Sequence, residues 1–70
     1  MKKVTLLIPV YNEEAMLPTL YQRLIELINR NSTYAWEILF INDGSSDRTL
    51  DVIRQLRQTD SRVNFVNLSR

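Results

Sequence analysis

Three short apolar segments, separated by two helical patterns, determine the fold class predicted for this sequence. The first segment, residues 4–10, is almost continuously apolar and rich in branched side chains. This pattern is typical of a strand buried on both faces, as in a parallel sheet. Residues 36–41 and residues 63–68 are the second and third predicted strands. The sequence therefore predicts three strands, with Pro9 near the end of the first because proline cannot donate a ladder hydrogen bond.

Between the strands, the apolar residues recur at the spacing of a helix. The first set of such residues is Leu17, Leu20, Tyr21, Leu24, Ile25, Leu27 and Ile28. Proline is tolerated only in the first turn, so Pro18 indicates a regular helix over residues 18–30. Glu13 and Glu14 are expected in the turn or first helical turn before it. A second helix should follow the loop at residues 42–47, whose Ser45, Ser46 and Asp47 offer N-cap oxygens.

The resulting order is β-α-β-α-β, an α/β fold with a parallel sheet. Right-handed crossovers would place both helices on the same face of that sheet. Both faces of the strands are apolar, however, so the second face would remain an exposed hydrophobic patch. We interpret the chain as the incomplete, N-terminal half of a larger α/β domain. The alternative is an association module that forms a homodimer through its open sheet face.

Composition excludes several classes of site. The 70 residues contain neither cysteine nor histidine, which rules out disulfides, thiolate or imidazole metal sites and His-dependent nucleophiles. Nine basic and eight acidic residues leave a net charge of +1, too balanced to predict nucleic-acid binding. The longest apolar run is far shorter than the roughly 20 residues that span a bilayer. With no signal-peptide pattern, we expect a cytoplasmic location.

The loops after the strands are the expected place for a ligand, because open α/β sheets bind ligands beyond the carboxyl ends of their strands. After the second strand, Asp43 could accept hydrogen bonds from ribose hydroxyls or a base N–H. Gly44 would permit a tight turn and close approach of a ligand. A capped strand-to-helix turn without any ligand explains the same residues equally well.

The loop after the first strand carries Tyr11 and Glu13. Tyr11 offers a flat face for a base or sugar, and Glu13 offers a second acceptor. Taken singly, Tyr11 could be a packing residue and Glu13 a helix-dipole partner. The one glycine of the chain excludes both the dinucleotide fingerprint and the P-loop, which disfavours a nicotinamide dehydrogenase. Together the two loops suit the nucleoside end of a nucleotide.

Two motifs carry a specific resemblance. Residues 8–14 (IPVYNEE) and 40–47 (FINDGSSD), one helix and one strand apart, resemble the start of family 2 glycosyltransferases. The chain looks nearest to the polyprenyl-phosphate sugar transferases, of the dolichol-phosphate mannosyltransferase and bactoprenol glucosyltransferase type. Residues 67–70 resemble the start of the next family motif. The resemblance extends over essentially all 70 residues.

The resemblance implies a Rossmann-like GT-A fold in which residues 1–70 bind the nucleotide of a UDP- or GDP-sugar donor. Transfer to a polyprenyl phosphate or glycan acceptor, in cell wall or polysaccharide biosynthesis, is implied in the same way. Matched motif to motif, the nucleotide contacts fall on Pro9, Tyr11, Glu13, Ile41 and Asp43. Asp43 would accept a hydrogen bond from the base or the ribose, and Glu13 would accept one from a ribose hydroxyl. Tyr11 and Pro9 would line the surface that contacts the base. Asp47 and the serines would be structural caps.

One departure from the family is large. The Asp-x-Asp motif that holds Mg²⁺ or Mn²⁺ against the donor diphosphate is absent from the 70 residues. No catalytic residue and no metal ligand is therefore assigned to this chain, and it is expected to be inactive alone. By the same resemblance, the full-length protein is expected at the cytoplasmic face of a membrane.

Overall fold

The computed structural model describes residues 1–68 and contains the predicted β-α-β-α-β order. Its elements are β1 (Lys3–Val10), α1 (Leu17–Arg30), β2 (Ala35–Asp43), α2 (Thr49–Thr59) and β3 (Val63–Leu68). The bounds of the strands and of α1 differ from the predicted ones by at most two residues. The predicted motif at residues 67–70 includes Ser69 and Arg70, which lie outside the described residues.

The three strands form one parallel sheet in the order β1-β2-β3. In the register of the sheet, Val10 of β1 lies beside Asn42 of β2, and Asn42 lies beside Asn67 of β3. The carboxyl ends of all three strands therefore reach the same edge. This arrangement confirms the prediction of an α/β chain with part of a Rossmann-like, GT-A-type sheet.

The hydrophobic core lies between the sheet and the two helices. On β1, side chains alternate between exposed and covered positions, and the alternation ends with the buried Val10. The core residues are Val10, Leu17, Leu24, Ile28, Ile38, Phe40, Ile53 and Val63. Both helices contribute to this one cluster, as right-handed crossovers require. Each such side chain stabilises the fold by about 1.5–3 kcal/mol through removal from water.

The two acids before α1 lie in the turn that leads into the helix, which is one of the two positions expected for them. The carbonyl of Glu13 accepts hydrogen bonds from the N–H groups of Met16 (3.0 Å) and Leu17 (2.9 Å). The chain turns there, α1 begins at Leu17, and its first turn contains no acidic side chain. Pro18 occupies the first turn, as predicted. Glu13 and Glu14 thus belong to the loop and not to the helix.

The second face of the sheet is not covered by either helix. Its amino half is polar, because the Glu37 carboxylate accepts hydrogen bonds from Thr5 (3.1 Å) and Asn64 (2.9 Å). Its carboxyl half is apolar and includes Leu7, which is 60% exposed, and Val66 and Leu68, each 44% exposed. We call this second face the open face. Its apolar half adjoins the edge where the strands end.

A charged cluster fastens α1 to the turn between α2 and β3. The Tyr21 hydroxyl donates to Asp60 Oδ2 at 2.6 Å, and the Arg62 guanidinium donates to both Asp60 oxygens at 2.8 and 2.9 Å. These Arg62 bonds hold the pKa of the nearly buried Asp60 carboxyl far below its usual range. Burial, together with the Asp60 charge, raises the pKa of Tyr21. The cluster lies at the edge of the sheet opposite the strand ends.

We expect Asp60→Asn to lower the free energy of unfolding by about 1–3 kcal/mol at neutral pH, because it removes a nearly buried, hydrogen-bonded charge. The Asp60 pKa is lower in the folded chain than the roughly 3.9 of an unfolded one. Its stabilisation is therefore present at neutral pH and decreases as the pH falls below about 4. Urea unfolding at neutral pH and near pH 3 measures both effects.

The matched control is Asp51→Asn, since Asp51 is exposed and its side chain pairs only with Arg48 at 3.5 Å among the described residues. The control should change stability by less than about 0.5 kcal/mol. An Asp60→Asn protein with unchanged stability and an unchanged acid profile would contradict the assignment.

Candidate functional site

The polar residues of the chain converge where the strands end. We call residues 11–16 the first loop and residues 44–48 the second loop. The first loop follows β1 and the second follows β2, which are neighbours in the sheet. Because the two strands are parallel and in register, their loops lie side by side at one edge. This edge is the expected ligand-binding position of an open α/β sheet.

Asn12 connects the two loops through both its side chain and its backbone. Its Oδ1 accepts hydrogen bonds from the N–H groups of Ser46 (2.8 Å) and Asp47 (3.4 Å), and its own N–H donates to Ser45 Oγ (3.0 Å). Its backbone has φ 50°, in the left-handed region that asparagine tolerates better than most residues. The conformation of the first loop thus depends on this residue.

The next two residues of the first loop add further bonds to the second loop and to α2. The N–H of Glu13 donates to the Thr49 hydroxyl at 2.9 Å. The N–H of Glu14 donates to Asp47 Oδ2 at 3.3 Å, and its carboxylate accepts the N–H of Arg48 at 3.2 Å. The two loops are therefore held as one unit. Glu14 does serve a helix N-terminus, but that of α2 and not that of α1.

Asp47 supplies the acceptor that the sequence predicted for the start of α2, although it lies one residue before the N-cap, Arg48. Its Oδ1 accepts the N–H of Thr49 at 2.9 Å and also the Thr49 hydroxyl. The hydrogen bond from that hydroxyl is the main reason why the pKa of Asp47 lies below its ordinary value, and backbone N–H donors add to it. The prediction was wrong for Ser45 and Ser46, whose hydroxyls bond to Asn42 and Asn12 instead.

A buried amide extends the connection to β3. Asn42 is only 2% exposed. Its Nδ2 donates to Asn67 Oδ1 at 2.9 Å, and its Oδ1 accepts the Ser45 hydroxyl. Both ends of the amide are satisfied, as buried polar groups require. Hydrogen bonds therefore run without a break from β3 through Asn42 and Ser45 to Asn12 in the first loop.

Three of the five predicted nucleotide contacts share one face. Pro9 and Ile41 are neighbours in the sheet register. Asp43 follows Ile41 by two residues on β2, so the alternation of a strand places it on the same side. That side is the open face, and Ile41 and Asp43 are half-buried there. The structure thus brings Pro9, Ile41 and Asp43 together at the end of the open face.

The other two predicted contacts lie in the first loop. Tyr11 is 50% exposed and follows the last residue of β1. Glu13 is exposed and lines a groove of about 260 Å³, together with Pro9 and residues of α1. A second groove, of about 430 Å³, is lined by residues of the second loop, of α2 and of β3, including Asn67 and Leu68. That these five residues contact a nucleotide stays a prediction.

Comparison with known proteins decides the family. The profile of glycosyl transferase family 2 matches residues 5–70. The chain belongs to this family. The match confirms the resemblance recognised in the two motifs and agrees with the partial GT-A-type sheet.

Several curated relatives are similar over almost the whole family 2 segment. An uncharacterized glycosyltransferase of Bacillus subtilis, YkcC, is 39% identical over 94% of the chain. The dolichyl-phosphate beta-glucosyltransferase ALG5D of Trichomonas vaginalis is 34% identical over 91% of it. The undecaprenyl-phosphate 4-deoxy-4-formamido-L-arabinose transferase of Salmonella choleraesuis is 41% identical over 99% of it. The chain spans only 20–21% of the length of these relatives.

The described part of this family 2 chain does not fit the divalent metal that the family implies. Within residues 1–68, no group of three or more acidic side chains is arranged to hold a cation. Two carboxylates of the loops, those of Glu14 and Asp47, instead accept backbone hydrogen bonds. No helix within these residues is long and apolar enough to cross a membrane.

Sequence reasoning missed Asn12, Asn42 and Thr49 as site residues. For Asn12 a signal existed, since asparagine directly after a strand is a frequent left-handed turn residue. For Asn42 and Thr49 the partners are 25 and 36 residues away in the chain. No local pattern reveals such bonds.

We expect Asp47→Ala to lower the free energy of unfolding by about 1–2 kcal/mol, because it removes the acceptor of the Thr49 N–H and of the Thr49 hydroxyl. Asp51→Ala is the control. It removes a carboxylate from the first turn of the same helix, and among residues 1–68 that carboxylate makes only an exposed ion pair with Arg48. The control should cost less than about 0.5 kcal/mol. Urea unfolding compares the two variants, and equal losses would contradict the stabilising role of Asp47.

Proposed function

We propose that residues 1–70 form the N-terminal, nucleotide-sugar-binding part of a glycosyltransferase domain. The donor would be a UDP- or GDP-sugar, and the acceptor a polyprenyl phosphate or a glycan. Family membership and the printed activities of the dolichyl- and undecaprenyl-phosphate relatives support this class of reaction. The observation that carries the proposal is the position of Pro9, Ile41 and Asp43 together on one face at the strand ends.

Each predicted residue has a role that its position permits. The Asp43 carboxylate accepts hydrogen bonds from the base or the ribose, while Pro9 and Tyr11 flank the base. Glu13 is exposed, and within residues 1–68 its carboxylate has no hydrogen bond or ion pair. This carboxylate is therefore available to accept a hydrogen bond from a ribose hydroxyl. Ile41 lines the site beside Pro9 and adds apolar contact.

We also propose that the chain by itself does not transfer sugar. The described residues contain no group of three or more acidic side chains that could hold a cation. The family's Mg²⁺ or Mn²⁺ would be held by residues other than these, and the full-length protein would act at the cytoplasmic face of a membrane. A sugar-transfer assay with the purified chain should give no turnover, and measurable turnover would overturn this part of the proposal.

We expect wild-type protein to bind a UDP- or GDP-sugar saturably and Asp43→Ala to weaken that binding by about 10–150-fold. This range corresponds to the loss of a hydrogen bond to a charged group, about 1.5–3 kcal/mol. Isothermal titration calorimetry measures the Kd, and far-UV circular dichroism checks that the variant is folded. Glu26→Ala, which removes an exposed carboxylate from α1, should leave the Kd unchanged. Equal affinity of Asp43→Ala and wild type would contradict the role of Asp43.

A second candidate function follows from the open face. Leu7, Val66 and Leu68 are exposed together on it, which favours a non-catalytic association module that forms a homodimer there. In that case, Leu7→Lys should convert a dimer into a monomer in analytical ultracentrifugation, because the lysine would place a charge in the contact. Thr19→Lys, at an exposed position on α1, is the control. A monomeric wild type that binds nucleotide would exclude this candidate.

A further inference from the structure

The exposed side of α2 and the adjoining strand β3 form a groove of about 480 Å³, which we call the arginine groove. Its lining residues are Arg54, Arg57, Gln58, Ser61 and Phe65. Three of them, at positions 54, 57 and 58, share one face of the helix because they are three and four residues apart. None of the five belongs to the two loops or to the predicted nucleotide contacts. The arginine groove is therefore separate from the candidate site at the strand ends.

The arginine groove carries positive charge that the chain itself does not neutralise. Residues 52–66 contain three arginines and one acid, Asp60. Asp60 is occupied by Arg62, whose guanidinium donates to both of its carboxylate oxygens. Arg54 and Arg57 are exposed, and within residues 1–68 neither guanidinium makes an ion pair or a hydrogen bond. Both charges are therefore available to a ligand.

An aromatic ring positions one of the two guanidinium groups. The Cζ atom of Arg54 lies 6.0 Å from the centre of the Phe65 ring, within the range of a cation–π contact. Phe65 is itself partly buried against the hydrophobic core, so the ring has a fixed support. A guanidinium stacked on a ring keeps the N–H donors at its edge free for an oxyanion. Such positioning reduces the entropy that Arg54 would lose on binding a ligand.

The donors of the arginine groove fit a phosphate group. Guanidinium groups bind phosphate oxygens through two parallel N–H donors. The Ser61 hydroxyl and the Gln58 amide add neutral donors beside them. A phosphate monoester carries about −1.5 to −2 charges at neutral pH and three acceptor oxygens. It therefore matches two guanidinium groups better than a carboxylate does, because a carboxylate carries a single charge.

We propose that the arginine groove binds a phosphate monoester, with Arg54 and Arg57 as the charged donors and Gln58 and Ser61 as the neutral ones. Two sources share this chemistry, namely a soluble phosphate compound and the phosphate headgroup of an anionic lipid. The proposal does not depend on the nucleotide binding proposed above or on the role of Asp43. It gives the chain a second binding site, formed by different elements.

A purely structural role of the two arginines makes a different prediction. Arg57 lies in the last turn of α2, where a cation offsets the helix dipole, and Arg54 covers the Phe65 ring. Neither role requires a ligand. Arg30 is exposed in the last turn of α1 and does not line the arginine groove. Arg30→Gln is therefore the matched control, because it removes the same charge from the same helical position.

The first experiment titrates inorganic phosphate into the isotope-labelled chain at constant ionic strength and follows the backbone amide shifts by NMR. We expect saturable shifts around the arginine groove and none with acetate at the same concentrations. Arg54→Gln and Arg57→Gln should each weaken phosphate binding by about two- to fivefold, the usual value of an exposed ion pair. The double variant should weaken it by about tenfold if the two losses add, whereas Arg30→Gln should leave the Kd unchanged.

Three results of this titration would overturn the proposal. They are an equal response to acetate, saturable shifts only at the strand ends, and equal phosphate affinity of the double variant and wild type. Far-UV circular dichroism checks that the variants are folded, as expected for substitutions of two exposed side chains.

Lysine variants separate recognition of phosphate from net charge. Arg54→Lys and Arg57→Lys keep the positive charge but lose the planar group that pairs with two oxygens. We expect each to bind inorganic phosphate more weakly than wild type and more tightly than the corresponding glutamine variant. Wild-type affinity in both lysine variants would overturn the paired geometry proposed for the guanidinium groups.

Vesicle sedimentation distinguishes the two sources of phosphate. The vesicles consist of phosphatidylcholine alone or of phosphatidylcholine with phosphatidic acid, a lipid that exposes a phosphate monoester. Sedimentation of wild type, but not of the double glutamine variant, only with the phosphatidic acid vesicles would identify a lipid headgroup. Phosphate binding in the groove without sedimentation would identify a soluble compound. Failure of both arms, or binding of polyglutamate in place of phosphate, would overturn the proposal. No arm contains a nucleotide-sugar, so its outcome is independent of the proposed function.

Discussion

The parallel pairing of β2 between β1 and β3 is the interaction on which every other feature depends. β2 pairs with β1 from Ala35 to Asn42 and with β3 from Ile38 to Asp43. Parallel pairing directs all three strands toward one edge and requires each connection to cross back over the sheet. The helices therefore cover one face, and the polar loops collect at a single edge. Core, open face and candidate site are all consequences of this pairing.

The loops at that edge are stabilised by hydrogen bonds and not by covalent links. A 70-residue chain without cysteine or histidine has no disulfide or imidazole site to restrain its loops, and short domains have a small stability margin. Side-chain oxygens of Asn12, Asp47 and Thr49 restrain the backbone instead. These bonds fix the first loop against the second loop at the ends of the strands.

Much of the fold could be predicted from the sequence, because it depends on local periodicity. The apolar run of β1, the stripe of α1 and the position of Pro18 each predicted an observed element. The exposed second face followed from the apolar residues on both sides of the strands. The contacts between the loops could not be predicted, since they join residues 33–36 positions apart. Ser45 and Ser46 were expected as caps, but the Ser45 hydroxyl donates to the side chain of Asn42 and the Ser46 hydroxyl to that of Asn12 in the first loop.

The open face adjoins the candidate site at the ends of the strands. Asp43 and Ile41 lie on the same side of the sheet as Leu7, Val66 and Leu68, whose apolar surface continues up to the strand ends. Any polypeptide that covers this surface will therefore lie beside Asp43. Two ligands that share a wall influence each other's affinity, and by thermodynamic linkage the influence is equal in both directions. If Asp43 contacts the nucleotide as proposed, nucleotide binding and docking on the open face are coupled equilibria.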